Sequence, residues 1–323
     1  HGVWGDEYAG DKIDDRTDPR TGLPVFSLYG VTRKPSPAML DQIDVLVFDL
    51  QDIGSRSYTY ISTMGLCMEA AAEKGSVEII VLDRPNPLGG EYVAGPIADE
   101  DKLGFTAYRP IPLVHGMTVG ELARLFNEHF KIGCKLTVIP VEGWKRSMWW
   151  DDTGLKWVAP SPNLRNPTQA YLYPAIGLLE SSNISVGRGT DTPFEIWGAP
   201  YIRKDELAAM PNAMNLPGLR FEPITFTPTR THHKFNDTEC HGVRVIITDR
   251  AAIRPVEAGC AFAWLLQRHY REEWRSEELV KMLQNDEAVQ ALFALENPAD
   301  APSIWSTQLA EFEPIRRQFL LYE

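Results

Sequence analysis

Asp49, Gln51, Asp52, Arg56, Tyr58 and Tyr60 fall within one short stretch, Ile43–Tyr60, reading IDVLVFDLQDIGSRSYTY. Acids that close, joined by an amide, a guanidinium and two phenols, can bind a polar small molecule and move protons. A second cluster, Asp83-Arg84-Pro85-Asn86-Pro87, repeats the mixture, and a third sets His115 beside Gly116 with Thr118 and Glu121 close behind. A fourth, ESSNISVGRGTDTPF, spans Glu180–Phe194 and carries Glu180, Arg188 and Asp191. Ser161 and Asn163 stand in the Pro-rich segment VAPSPN before it. Each candidate also has a plain structural role. Asp49 can cap a turn, Asp52 can pair with Arg56, and Asp191 can pair with Arg188. Tyr58 and Tyr60 can pack at a helix entry, and Glu121 has the spacing from Thr118 of a capping box.

The elements that position these residues follow from apolar runs. The run ending at Asp49 and the run Glu78–Leu82 read as strands buried on both faces, as in a parallel sheet. Ile61–Lys74, ISTMGLCMEAAAEK, reads as the helix between them. Strand, helix and strand make a βαβ unit, so Asp49 and Asp83 emerge at one sheet edge, the edge where open α/β sheets bind ligands. Pro110–Val114 reads as a further strand leading into His115, Thr118–Phe130 as a capped helix, and Lys135–Val141 as another strand. Later, Phe221–Thr229 and Gly242–Thr248 read as strands. Val256–Trp274, Glu277–Gln284 and Trp305–Tyr322 read as helices. The expected fold class is α/β. It has a Rossmann-like parallel-sheet domain over residues 1–158, a smaller α/β domain over 159–323, and a cleft between them.

Composition excludes several classes. A formal charge of -12 and a pI near 5.1 argue against nucleic acid, whose phosphates require a basic face. No run approaches the roughly 18 apolar residues of a membrane span. Cys67, Cys134, Cys240 and Cys260 form no C-x-x-C, so neither a zinc knuckle nor a disulfide framework is expected. His232, His233 and His241 invite a metal, but adjacent side chains in an extended segment point to opposite faces, and no metal or organic cofactor is expected. Gly187-Arg188-Gly189 lacks the third glycine of a dinucleotide loop. Gly143–Trp157, GWKRSMWWDDTGLKW, concentrates four tryptophans, suited equally to a sugar face or to burying a loop.

The segments HGVWGDEYAGDKIDDRTDPRTGLPVFSLYG, FDLQDIGSRSYTYISTM, VLDRPNPLGG, VHGMTVGEL, SPNL and VGRGTDTPFEIWGAP resemble, in order, successive motifs of the NamZ family of bacterial exo-β-N-acetylmuramidases. The resemblance covers nearly the whole chain. It implies hydrolysis of non-reducing-end N-acetylmuramic acid from peptidoglycan fragments, in the periplasm or outside the cell, during cell-wall recycling. It also implies a site role for His1. In that family the opening motif reads Pro-Glu-His-Gly, its glutamate being the leading catalytic candidate. This sequence starts at the His, without an initiator Met, so the expectation is a chain lacking that acid and the domain's first strand.

Glycoside hydrolysis ordinarily uses two carboxyl groups, and substrate-assisted attack by an N-acetyl group is a known exception. With the family's glutamate as one partner, Asp49, Asp52, Asp83, Glu121, Glu180 and Asp191 are candidates for the other, and the route stays open. Muramic acid carries a lactyl carboxylate that a bidentate arginine would recognise, which favours Arg188, with Arg56 and Arg84 as rivals. A non-catalytic saccharide-binding protein is the alternative. A serine esterase is disfavoured, because neither Ser62 nor Ser161 sits in G-x-S-x-G.

Overall fold

The computed structural model describes residues 13–229 and 234–323. His1, with the opening motif, and His232 and His233 therefore lie outside the described residues. The β-rich run before Asp49 forms β1 (Val45–Phe48), and α1 (Tyr60–Lys74) carries the chain back to β2 (Glu78–Leu82). Gly75, at φ 74°, ends α1 by donating its N–H to Ala71. Next come β3 (Ala94–Ile97), β4 (Pro112–Val114), α2 (Val119–Glu128) and β5 (Lys135–Ile139). β1, β2 and β5 form a parallel sheet in that order, Val45 opposite Glu78 and Glu78 opposite Lys135.

One face of this sheet is covered and the other is open. Phe48, Ile79 and Val81 pack with Ile61, Met64 and Met68 of α1 and with Leu122 and Phe126 of α2. On the opposite face Val45 and Val47 remain 40% and 51% exposed. That corrects the expectation of strands buried on both sides: among the described residues the two helices lie on the same face. β4 departs as well, pairing antiparallel with β3 in a separate two-stranded sheet rather than extending the parallel one.

The second half begins with α3 (Pro167–Ile176), whose N-cap Asn166 accepts from the Gln169 amide. It continues through β6 (Ile196–Ala199), α4 (Lys204–Ala213), β7 (Leu219–Phe226), β8 (Cys240–Ile247) and α5 (Pro255–His269). β6, β8 and β7 form an antiparallel sheet with β8 central. Its strands approach closely at glycine: a Cβ on Gly242 would lie 2.0 Å from the Trp197 carbonyl oxygen. A short helix at Val280–Leu283 and two longer ones, α6 (Asp286–Ala294) and α7 (Pro302–Arg317), complete the chain.

The halves share their interior. Ile53, Leu88 and Leu113 belong to the same core as Trp197, Phe221 and Phe262. α7 returns to the first half, where Phe312 and the following Phe319 join the core beneath the parallel sheet. All four cysteines are buried and free. No helix among the described residues is long and apolar enough to cross a membrane.

Candidate active site

The turn after β1 is built around Asp52. Its Oδ2 accepts from the Gly54 amide at 2.7 Å, and Gly54 takes φ +80°. A Cβ there would lie 2.3 Å from Asn86 Oδ1, so the turn seats directly on the loop after β2. Gln51 reinforces this by donating to the Asp52 and Pro85 carbonyls. Asp52 is only 5% exposed, and its Oδ1 has no hydrogen-bond partner among the described residues. Burial raises its pKa to about 7 against the opposing pull of the Gly54 and Ile53 amides.

His115 is the nearest titratable neighbour. It is fully buried, with Nε2 3.9 Å from Asp52 Oδ2. Nδ1 accepts from the Met117 amide at 3.2 Å, which assigns the imidazole proton to Nε2, an atom with no partner among the described residues. Burial, then the charges of Arg316 and Arg56, hold its pKa down to about 3. His115 is thus neutral beside a carboxyl that keeps its proton to near neutrality. The two adjoining titratable groups each keep a polar atom without a partner among the described residues, as Gln51 Oε1 and Arg56 Nε also do.

A tyrosine wall joins Asp52 to the second half. Tyr58 and Tyr60 both donate to the Pro160 carbonyl, at 3.1 and 2.7 Å, and their rings meet edge to face at 4.9 Å. Tyr173 of α3 sets its ring edge to face with Tyr58 at 6.1 Å. Its phenol pKa is raised by burial and by the charges of Glu180 and Asp52, while Arg188 lowers it. Charge from both halves therefore converges on one hydroxyl. Ser161 is buried and its Oγ accepts from the half-buried Asn163, placing both residues just past Pro160.

Beyond Tyr173, Arg188 stands between Gly187 and Gly189, both at positive φ. Its guanidinium pairs bidentately with Glu180 through Nε and Nη2 and lies 4.9 Å over the Phe194 ring. Burial opposes its charge, and Glu180 more than restores it. Lys234 donates to the Glu180 carbonyl, and burial lowers its pKa. Arg188, Lys234, Glu180 and Ser185 line a cavity of about 20 Å³, room for one water or one carboxylate oxygen.

The other sequence candidates have different work. Asp83 accepts from Thr118 Oγ1, Tyr322 and the Gly120 and Arg84 amides. Glu121 completes the Thr118 capping box, takes a bidentate pair from Arg146 and accepts from the Leu321 amide. Asn86 bonds Met117 and Leu88. Arg56 is wholly buried and donates through Nη1 to the Pro96 and Ile111 carbonyls and through Nη2 to that of Leu283, which corrects its reading as a substrate contact: both terminal nitrogens are spent on the fold. Asp49 and Arg84 pair with each other at the surface. Asp191 is fully exposed with Arg165 3.4 Å away, so the plain structural alternative, pairing with Arg188, is not what it does. Sequence reasoning missed Tyr173, Lys234 and Arg316. Tyr173 had a signal in the run YLYPAIG, where the internal Pro174 masks a helix.

These geometric features sit in a chain with close relatives. Family models described as the N-terminal and C-terminal parts of exo-β-N-acetylmuramidase NamZ match residues 1–168 and 171–322. The chain is 44% identical over 327 residues to the peptidoglycan β-N-acetylmuramidase NamZ of Bacillus subtilis (strain 168), covering 100% of this chain and 78% of that protein. Two crystal structures of DUF1343 family proteins from Bacteroides fragilis NCTC 9343 share the fold. One gives a TM-score of 0.86 at 36% identity, the other 0.74 at 30%, each covering 95% of this chain and 82% of the other. The chain belongs to the NamZ family of exo-β-N-acetylmuramidases.

Proposed function

We propose that this protein is a glycosidase that removes terminal N-acetylmuramic acid from peptidoglycan fragments, with Asp52 as its proton-bearing carboxyl. The observation that carries the site assignment is a buried Asp52 whose Oδ1 has no partner among the described residues, in a carboxyl that burial raises to a pKa of about 7. A glycosidase acid must hold a proton for the leaving oxygen at working pH, and burial is how carboxyls acquire that property. Asp83 and Glu121 are also raised by burial, but every contact around them is already taken by the fold. His115, neutral with its proton on Nε2, faces the far oxygen of Asp52 and keeps Oδ1 as the oxygen that delivers the proton.

Residues 1–158 then supply the chemistry and 159–323 the substrate's outer contacts. Tyr58, Tyr60 and Tyr173 offer hydroxyls and ring edges to a sugar. Arg188, backed by Glu180 and flanked by Lys234, offers the lactyl carboxylate a cationic partner. Location outside the cytoplasm fits a substrate drawn from the cell wall.

The test is chromophore release from an aryl β-N-acetylmuraminide beside the matching N-acetylglucosaminide. Cleavage of the muraminide alone is expected. Equal cleavage of both would remove the lactyl role of Arg188. Tight muramic acid binding with no turnover would replace the enzyme with a saccharide-binding protein.

A further inference from the structure

The tryptophan-rich stretch after β5 is not absorbed by the Asp52 site. Trp144 and Trp150 are buried, at 5% exposure each, and Trp157 anchors its indole N–H on the Leu164 carbonyl. Trp149 differs: half-buried, it forms one wall of a cleft of about 340 Å³. Tyr92, Glu91, Ser147, Arg254 and Glu257 line it with Arg146, and Leu88, Val93 and Ala251 add apolar surface. The size lies at the low end of small-molecule sites.

The Trp149 wall of the cleft and the Asp52 cluster meet different sides of α3. Trp149 packs edge to face on Tyr171 at 5.1 Å, whereas Tyr173 of the same helix meets Tyr58. Two positions along an α-helix turn through about 200°, so the two tyrosines serve opposite sides of α3. No residue lining the cleft belongs to the Asp52–Arg188 group.

Its walls select a ligand class. Tyr92 donates to Glu257 and accepts from the Val256 amide, which fixes both the ring and the carboxylate. Glu91 and Ser147 are exposed acceptors and donors, and Arg254 spends Nη1 on three carbonyls, leaving its other nitrogens toward solvent. Arg146 and Arg254 balance Glu91 and Glu257, so the lining favours neither sign of charge, and its polar rim disfavours a lipid. A half-buried indole bordered by acids, a hydroxyl and a guanidinium suits a neutral sugar, whose C–H face stacks on the ring while its hydroxyls meet the rim.

We propose that this cleft is a second saccharide-binding site, separate from the catalytic one, that holds a neutral N-acetylated stretch of glycan. The probe is N,N′,N″-triacetylchitotriose, titrated calorimetrically into the whole protein and two variants. Trp149→Ala removes the stacking wall. Ser147→Arg plugs the cleft from an exposed position and leaves the packing on Tyr171 intact. Each should weaken binding about tenfold or more, as loss of a stacked ring implies, while turnover of the aryl muraminide stays within about twofold. Absence of binding to the unmodified protein would overturn the proposal. So would binding that survives Ser147→Arg, or a loss of turnover in step with affinity, which would merge the cleft with the catalytic site.

Discussion

Two carboxylate clusters lie at the ends of the same parallel strands, and they differ in one respect. Around Asp83 and Glu121 every oxygen is used: hydroxyls of Thr118 and Tyr322, amides of Gly120 and Leu321, and the Arg146 fork. Around Asp52 and His115, Oδ1 of one and Nε2 of the other are buried without partners among the described residues. An unpaired buried polar atom costs roughly 1–3 kcal/mol, so a fold that keeps two of them side by side does so against its own stability. Burial raises the pKa of all three acids, hence a perturbed pKa does not separate site from scaffold here. Saturation does.

The sharpest break of this contrast is Asp52→Asn. It keeps the shape and removes the proton, so kcat should fall roughly 10²- to 10⁴-fold, the usual contribution of a positioned acid. The fold should not weaken, because burial penalises the charged form that asparagine cannot adopt. In the unsubstituted protein kcat should decline as pH rises through about 7, where Asp52 loses its proton. Stability runs the same way: the folded pKa exceeds the ordinary 3.8, so the contribution of Asp52 is full below about 4 and lost by about 7. An unchanged kcat in Asp52→Asn, measured on the aryl muraminide, would return Asp52 to the scaffold.

That separation was only partly legible in the sequence. Strand β2, the capping box at Thr118 and Glu121, and the emergence of Asp49 and Asp83 at one edge follow from local patterns, and the structure has them. What makes Glu121 structural is Arg146 and Leu321, distant in sequence and brought in by the chain end. Arg56 likewise looked available because its carbonyl partners, Leu283 among them, have no sequence signature. β3, reading Ala-Gly-Pro-Ile, lacks the apolar run of a strand and is defined only by pairing with β4. Tyr173 was hidden because α3 is apolar almost all round and contains a proline, so no helical stripe stands out. Local period shows where an edge is. Which of its acids are saturated depends on contacts that period does not encode.

Glu121→Ala attacks the saturated cluster. It removes half of the capping box and leaves the Arg146 guanidinium, 11% exposed, without its carboxylate. Breaking a buried pair from one side typically costs about 3–5 kcal/mol. Thermal unfolding should show a large loss of stability, while kcat per folded molecule stays near that of the unsubstituted protein. A selective loss of kcat, with stability kept, would move Glu121 into the site and undo the contrast.

The smallest effect belongs to Asp49→Asn, which sits at the same edge with a partner of its own. Asp49 and Arg84 are 51% and 39% exposed, so water screens their pairing and the two long side chains give up freedom to hold it. Such pairs contribute about 0–1 kcal/mol. Unfolding and aryl muraminide turnover should both remain close to those of the unsubstituted protein. The three acids then order by environment rather than by position: Asp52 unpaired and buried, Glu121 paired and buried, Asp49 paired and exposed. A strong activity loss in Asp49→Asn would mean that exposure at this edge conceals a substrate contact, and that pairing in the unliganded protein is no guide to which carboxyl meets the sugar.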